Sequence, residues 1–199
     1  MKYAIIGSGK IGTALARTFA RKNIEVAIAN TRGAETLASL AQDLGSSVTP
    51  QSVDDALKAE IIFLAIPFSA HKVVAKQLKK WNGKIVVDLT NAFQVALDEL
   101  EGQLSTVVVS KAFAGARVVK AFNHLPAGQL GAALIPEGQR QTIFLSSNDP
   151  DAGATVAAVA TQLGFAPVDV GRLDEGGVPL HVVAGKPGGL LFQNLAKLN

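Results

Sequence analysis

The sequence predicts an α/β fold: one doubly wound, mostly parallel sheet with helices on both faces, in a single domain with a C-terminal arm. Three observations predict it. Short apolar runs alternate with longer segments whose apolar residues recur at helical spacing. One run, Ile61-Ile62-Phe63-Leu64-Ala65-Ile66, is apolar throughout, as a strand covered on both faces must be. The first run, Tyr3-Ala4-Ile5-Ile6, passes straight through Gly7-Ser8-Gly9-Lys10-Ile11-Gly12 into a helix with Ile11, Ala14, Leu15 and Phe19 on one face.

Each glycine of that turn has a physical task. Gly7 permits the tight turn, Gly9 lets backbone approach a pyrophosphate, and Gly12 lets the helix pack close to the strand. Free backbone N–H groups at the helix start carry roughly half a unit of positive charge and suit phosphates. Glycine-rich turns are common in themselves. Placed after a strand and before a periodic helix, this one reads as a dinucleotide site, the signature of a Rossmann-type fold.

Composition narrows the alternatives. The chain has 199 residues, 48% hydrophobic and 18% charged, enough for one ordered domain with a real core. It has no cysteine, which excludes a disulfide framework, thiolate metal ligands and a cysteine nucleophile. No spacing of other residues suggests a metal site. A net charge of +3 is too mild to argue for nucleic acid. The four apolar residues at the start are too few for a signal-peptide core, and no segment approaches the roughly 18 apolar residues of a membrane helix. A soluble cytoplasmic protein, with neither membrane nor nucleic acid as partner, is the expectation.

The second strand, Glu25 to Ala29, ends at Asn30-Thr31-Arg32-Gly33, and the choice of cofactor is written there. An NAD site places Asp or Glu at this point, bonded to the ribose 2′-hydroxyl. No acid is present. Asn30 and Thr31 offer neutral hydrogen bonds and Arg32 a planar cation suited to a phosphate, so the expected cofactor is NADP. The plain alternative for Arg32 is a solvated turn residue.

Further along, a helix is expected from about Ala34 to Leu44, with Leu37, Leu40, Ala41 and Leu44 inward and Gly45 at its end. A weak strand at Ser46–Thr49 and a short helix from Pro50 to Lys58 follow. After the apolar strand, His71 to Lys80 reads as a helix whose lysines, Lys72, Lys76, Lys79 and Lys80, form a solvated face. Ile85 to Leu89 is the next strand. Val107-Val108-Val109 has strand composition, yet Ser105 could cap a helix there. Arg117 to Ala121 is a strand, leading through Phe122-Asn123-His124 into a Gly- and Pro-containing loop that runs to about Gln141. Thr142 to Leu145 is a strand, Asp149 to Leu163 a capped helix, and Phe165 to Val170 a last strand. Domain boundaries follow: residues 1–170 as the nucleotide-binding domain and 171–199 as an arm that closes the site or forms a dimer contact.

Ligands of an open parallel sheet lie beyond the carboxyl ends of its strands, where strand order reverses. The residues so placed are Gly7 to Gly12, Asn30 to Arg32, Ala65 to Phe68, Thr90-Asn91 and Phe122-Asn123-His124. Ile66, Pro67 and Phe68 could give a dry surface for a nicotinamide ring. Asn91 and Asn123 could orient its amide or a substrate carbonyl, or could be ordinary turn residues. His124 is the one well-placed acid–base group; His71 and His181 could equally be surface residues. Hydride transfer between two ring cofactors needs orientation and dryness more than proton machinery.

Several motifs occur in a fixed order: the glycine turn, Ala29-Asn30-Thr31-Arg32-Gly33, Asp88-Leu89-Thr90-Asn91, Val118-Val119-Lys120-Ala121-Phe122-Asn123, and Gly164-Phe165-Ala166-Pro167-Val168-Asp169. Together they resemble the NADPH-dependent deazaflavin reductases, the coenzyme F420-dependent NADP oxidoreductase family. They are also similar to the cytoplasmic NADPH-binding domain of the six-transmembrane metalloreductases. The likeness runs from about Met1 to Val170, with Val119 to Asn123 its most specific part. It implies NADPH held by Gly7 to Gly12 and Thr31-Arg32, with a second ring cofactor near the nicotinamide. Carried over by position, Ile66, Pro67, Asn91, Asn123 and His124 would line that meeting point. It favours a helix over Ser105 to Phe113, and it implies deazaflavin (coenzyme F420) or FMN as acceptor. The chain beyond Gly171 departs from those enzymes.

Two other readings compete with hydride transfer to a small-molecule ring. A pyrroline-carboxylate-type imine reductase opens with a similar turn but needs a helical dimerisation domain, for which only a short tail is available. A non-enzymatic NADPH sensor would bind tightly and oxidise nothing. The apolar, glycine-broken tail suggests a homodimer.

Overall fold

A computed structural model describes residues 1–93, 95–96, 98–131 and 140–175. All eight strands join one sheet in the order β3-β2-β1-β4-β5-β6-β7-β8. The strands are β1 (Tyr3–Ile6), β2 (Val26–Ala29), β3 (Val48–Pro50), β4 (Ile61–Leu64), β5 (Ile85–Asp88), β6 (Arg117–Ala121), β7 (Thr142–Ser147) and β8 (Ala166–Asp169). Order reverses between β1 and β4, which pair in parallel from Tyr3 opposite Ile61 to Ile6 opposite Leu64. The carboxyl ends of β1 and β4 therefore meet where the crossovers diverge.

Alternation along the strands sends side chains to two cores. Ile5, Phe63, Val87 and Val119 face one, with Ala14, Leu15 and Phe19 of α1 (Lys10–Arg21), Leu37, and Val156 of α7 (Pro150–Gln162). Ile62, Leu64, Val86 and Val118 face the other, with α3 (Val53–Ala56), α4 (His71–Ala75) and α5 (Ser105–Ala112). Both central strands are buried along their whole length, which explains their continuous apolar runs. A row of rings, Tyr3, Phe19, Phe63, Phe122 and Phe165, crosses the first core with neighbouring centroids 5.5–6.2 Å apart.

Several expected boundaries move. Ala34–Leu37 is a 3₁₀ turn leading into α2 (Ala38–Leu44), and Gly45 ends it at φ 84°. The weak strand lies at Val48–Pro50 rather than Ser46–Thr49, because Val26 to Ile28 of β2 pair with Val48 to Pro50. Pro50 can end this edge strand because an edge needs no donor from it on the open side. The helix expected from Pro50 shrinks to α3, capped by the Ser52 hydroxyl, which accepts from the Asp55 N–H at 3.1 Å. The helix expected to reach Lys80 stops after Ala75, where the Trp81 indole donates to the Ala75 carbonyl at 2.9 Å. Its lysines are exposed. Val107 to Val109 lie within α5, resolving the ambiguity in favour of helix. Asp149 caps α7, accepting from the Ala152 N–H at 2.9 Å, with Pro150 in the first turn.

The sheet is parallel from β3 to β6, but β7 pairs with β6 antiparallel, Ala121 opposite Leu145. A parallel return needs a crossover element long enough to carry the chain back along the sheet. The described part of the connection holds only α6 (Ala127–Leu130), four residues long. Since β8 is parallel to β7, the carboxyl ends of both point away from those of β1 to β6. Gly171, Arg172 and Leu173 begin the proposed arm; Leu173 is buried in the second core. The remainder, with His181, lies outside the described residues.

Candidate functional site

The glycine turn has the geometry that a phosphate cradle requires. Gly7 takes φ 110°, and a Cβ there would strike the Ala65 carbonyl; one on Gly12 would strike the Gly7 carbonyl and approach Ala65 Cβ at 3.3 Å. Gly7 N–H also donates to the Ala29 carbonyl at 2.8 Å, tying the turn to β2. Gly9 is different: nothing lies within 4 Å of a Cβ built on it. The space over Gly9 is open, and α1 begins there without a side-chain cap or an acid in its first turn. Uncapped leading N–H groups at a helix start suit an anion. Lys10 is exposed beside it, and Ile11 is half-buried against the first core. A cleft lined by Ser8, Gly9, Lys10, Thr13 and Arg17 on one side has Ala127, Gly128 and Gly131 on the other. The Thr18 hydroxyl donates to the Leu130 carbonyl at 2.8 Å and the Arg21 guanidinium to the Gly131 carbonyl at 2.6 Å, fastening α6 to α1.

At the end of β2, Asn30 is a brace. Its Nδ2 donates to Ser8 Oγ at 2.9 Å and Thr36 Oγ1 at 3.1 Å, while its Oδ1 accepts from the Arg32 N–H at 2.8 Å. The glycine turn and the Asn30–Thr36 loop are thereby one unit. Thr31 and Arg32 are exposed, and the Arg32 guanidinium has no partner among the described residues. An exposed cation on a loop braced to the glycine turn suits a 2′-phosphate. The cradle, the uncapped helix and this cation fit NADP(H).

The loop after β4 supplies a less uniform surface than expected. Ala65 packs on Gly12, Ile66 is half-buried and Pro67 exposed. Phe68 instead turns into the second core, its ring 4.6 Å from that of His71. His71 is buried, 3% exposed, with Nδ1 on the Phe68 carbonyl. It is a core histidine, not a surface one, held against Phe68 by its ring and by Nδ1.

Asn91 and Asn123 are brought together. Asn91 Nδ2 donates to the Asn123 carbonyl at 2.7 Å, and Asn123 Nδ2 donates to Asn91 Oδ1 at 2.9 Å. His124 diverges from them. Its Nε2 accepts from the Phe144 N–H of β7 at 3.4 Å and its ring lies 5.4 Å from that of Phe144. Burial holds its pKa down at about 4, against a smaller opposing effect of the Thr142 backbone, so the ring is neutral near pH 7.

Two features carried no recognised signal. Asp88 and Lys120, register partners on β5 and β6, form an ion pair at 3.0 Å with 0% and 1% side-chain exposure. Phe122 has φ 63°, a left-handed backbone that a bulky residue rarely adopts. The first was detectable: an acid ends apolar β5 and a lysine sits near the end of β6, at matching positions. The second was not, since phenylalanine has no preference for that conformation.

Residues 2–92 match the family described as NADP oxidoreductase, coenzyme F420-dependent. A crystal structure of a hypothetical protein from Sinorhizobium meliloti is 41% identical, with TM-score 0.89 over 98% of this chain and 96% of that one. The likeness to this family of NADP oxidoreductases spans β1 to β5, with the glycine turn and the loops after β2 and β4. A protein of Arthrobacter sp. FB24, provisionally described as an F420-dependent NADP-reductase, shares the fold at TM-score 0.70 and 24% identity, over 87% of this chain and 86% of that one. The rat (Rattus norvegicus) metalloreductase STEAP3 is 29% identical over 86% of this chain. The chain spans about a third of the length of that relative, 34%. That likeness supports binding of NADP(H), which agrees with the exposed Arg32 and the absence of an acid at the end of β2. Among the described residues, no helix is long and apolar enough to cross a membrane.

Proposed function

We propose that the chain catalyses hydride transfer between NADP(H) and a flavin-like or deazaflavin ring, coenzyme F420 or FMN, bound at the carboxyl edge of β1, β4, β5 and β6. The observation that carries the reading is the open cradle at Gly9 in one braced unit with an exposed Arg32. Gly7 to Gly12 hold the pyrophosphate through the first N–H groups of α1, and Thr31 and Arg32 take the 2′-phosphate. Ala65, Ile66 and Pro67 flank the nicotinamide, and Asn91 and Asn123 orient its amide or the acceptor. NADPH, when bound, supplies the hydride.

The protein's share is orientation and exclusion of water. His124 fits that division of labour: it is neutral and bonded to β7, so it shapes the wall and moves no proton. The setting is cytoplasmic, the assembly is a homodimer, and the arm from residue 171 closes the site or joins the two subunits. The test is NADPH oxidation followed at the nicotinamide absorbance with coenzyme F420, FMN and quinones as acceptors. Oxidation with a ring acceptor supports the reading. Tight NADPH binding without turnover of any acceptor overturns it in favour of a dinucleotide sensor.

A further inference from the structure

We infer that Asp88 and Lys120 are positioning residues for the nicotinamide end of the site, acting through Asn91 and Asn123; the inference rests on the NADPH reading above. Asp88 ends β5, and Lys120 is the penultimate residue of β6. Both side chains turn to the second core, in a row that reads Ile6, Leu64, Asp88, Lys120 and Ser146 across the sheet. Taking two charges out of water is costly, and well-packed apolar residues hold strands together as well or better. Stability is therefore a poor reason for an ion pair here.

The hydrogen bonds supply a better one. Asp88 Oδ1 accepts from the Thr90 N–H at 2.9 Å and from the Thr90 hydroxyl at 2.7 Å. Lys120 Nζ donates to Asp88 Oδ2 at 3.0 Å and also to the Thr90 carbonyl. Three of these four bonds fasten Thr90, the residue immediately before Asn91, and the fourth ties the two strands together. On the other strand, Lys120 precedes Asn123 by three residues, and the chain between turns through Phe122 at φ 63°. That strained turn is clamped by the rings of Phe63 and Phe165, at 6.2 and 5.5 Å. The ammonium thus locks the two strand ends in one relative position, and the two amides meet beyond it.

The test compares NADPH with adenosine 2′,5′-bisphosphate, which carries the adenine and 2′-phosphate but no nicotinamide, by calorimetry. Asp88→Asn combined with Lys120→Met leaves no buried charge unpaired. In this variant the bisphosphate should bind within twofold of the native protein, while NADPH weakens by about tenfold, the value of one or two oriented hydrogen bonds. The same pair of substitutions made on an Asn91→Ala background should cause no further loss. Thr90→Val removes the hydroxyl bond and keeps the ion pair; it should weaken NADPH about threefold, and it decides the matter if the double variant does not fold. Unchanged NADPH binding, or an equal loss for both ligands, overturns the inference. A native protein that binds neither ligand overturns the NADPH reading instead.

Discussion

Gly12 lies so close to the carbonyl of Gly7 that it has no room for a side chain, and Gly7 is closed off in turn by the Ala65 carbonyl, whereas Gly9 between them faces open space. Three glycines of one motif therefore do different work. Gly12 is demanded by the packing of α1 on the turn, Gly7 by its positive φ and the chain after β4, and Gly9 by no contact among the described residues.

This separates binding from folding. Gly9→Ala should leave the urea midpoint unchanged and reduce NADPH affinity at least tenfold, because the methyl would project where a phosphate approaches. Gly12→Ala should destabilise the protein by about 1–3 kcal/mol or more through overpacking. Chemical denaturation and calorimetry on the two variants distinguish the effects. Equal NADPH affinity for Gly9→Ala and the native protein would remove the pyrophosphate from this turn.

Arg32 is exposed and unpaired among the described residues, so removing it disturbs no internal contact. A charge-assisted hydrogen bond contributes about 1.5–3 kcal/mol. Arg32→Ala should weaken NADPH binding roughly 10- to 100-fold, at about 1.4 kcal/mol per decade, and leave NADH nearly unchanged. Equal losses for the two nucleotides, measured by fluorescence titration, would remove the 2′-phosphate assignment.

Legibility in the sequence followed the range of the forces involved. The glycine turn, the missing acid after β2 and the uninterrupted apolar β4 depend on local pattern, and the fold class follows from them. Elements whose ends are set by distant partners were less readable. Helix α4 stops at Ala75 because Trp81 claims the Ala75 carbonyl, and Pro50 becomes strand because β2 pairs with it. The direction of β7 depends on how far a loop travels, which composition does not record. The individual asparagines were visible at strand ends, but their mutual bonds and the Asp88–Lys120 pair beneath them required two strands to be placed in register.

His124 makes stability depend on pH. Its folded pKa of about 4 lies below the unfolded value near 6.5. Between those values the unfolded chain binds a proton that the folded protein does not. Stability is therefore full above about pH 6.5 and falls as pH drops toward 4, by about 3 kcal/mol from this group. Urea unfolding at pH 7.5 and 4.5 should show that excess loss in the native protein relative to His124→Gln. Parallel pH dependences would mean that the ring gains a proton without leaving its place.

The polar row beneath the site contains members of opposite worth. Ser146 Oγ is buried without a hydrogen-bond partner among the described residues, so Ser146→Ala should change stability by less than about 1 kcal/mol or raise it. Lys120→Met alone strands the Asp88 carboxylate and should cost about 3–5 kcal/mol. Denaturation midpoints at pH 7.5 test both. A small loss for Lys120→Met would mean that water reaches the pair.

Asn30 offers the sharpest test of cofactor choice, because one atom can be exchanged while its surroundings adapt. Its Nδ2 donates to the hydroxyls of Ser8 and Thr36; the Ser8 hydroxyl can rotate to donate instead, and the Thr36 hydroxyl, which donates to the Gly33 carbonyl at 2.8 Å, can turn that hydrogen to the carboxylate. The Arg32 N–H already points at Oδ1, which a carboxylate retains. Asn30→Asp should therefore keep the loop and its stability, while placing a negative charge at the position where NAD sites carry theirs. The carboxylate would repel a 2′-phosphate and accept from a ribose 2′-hydroxyl. NADPH affinity should fall about tenfold or more, and NADH affinity should rise. Both follow from the sign of one charge and need no change in shape. If Asn30→Asp keeps the native preference for NADPH, Asn30 is a brace alone, and discrimination rests with Thr31 and Arg32.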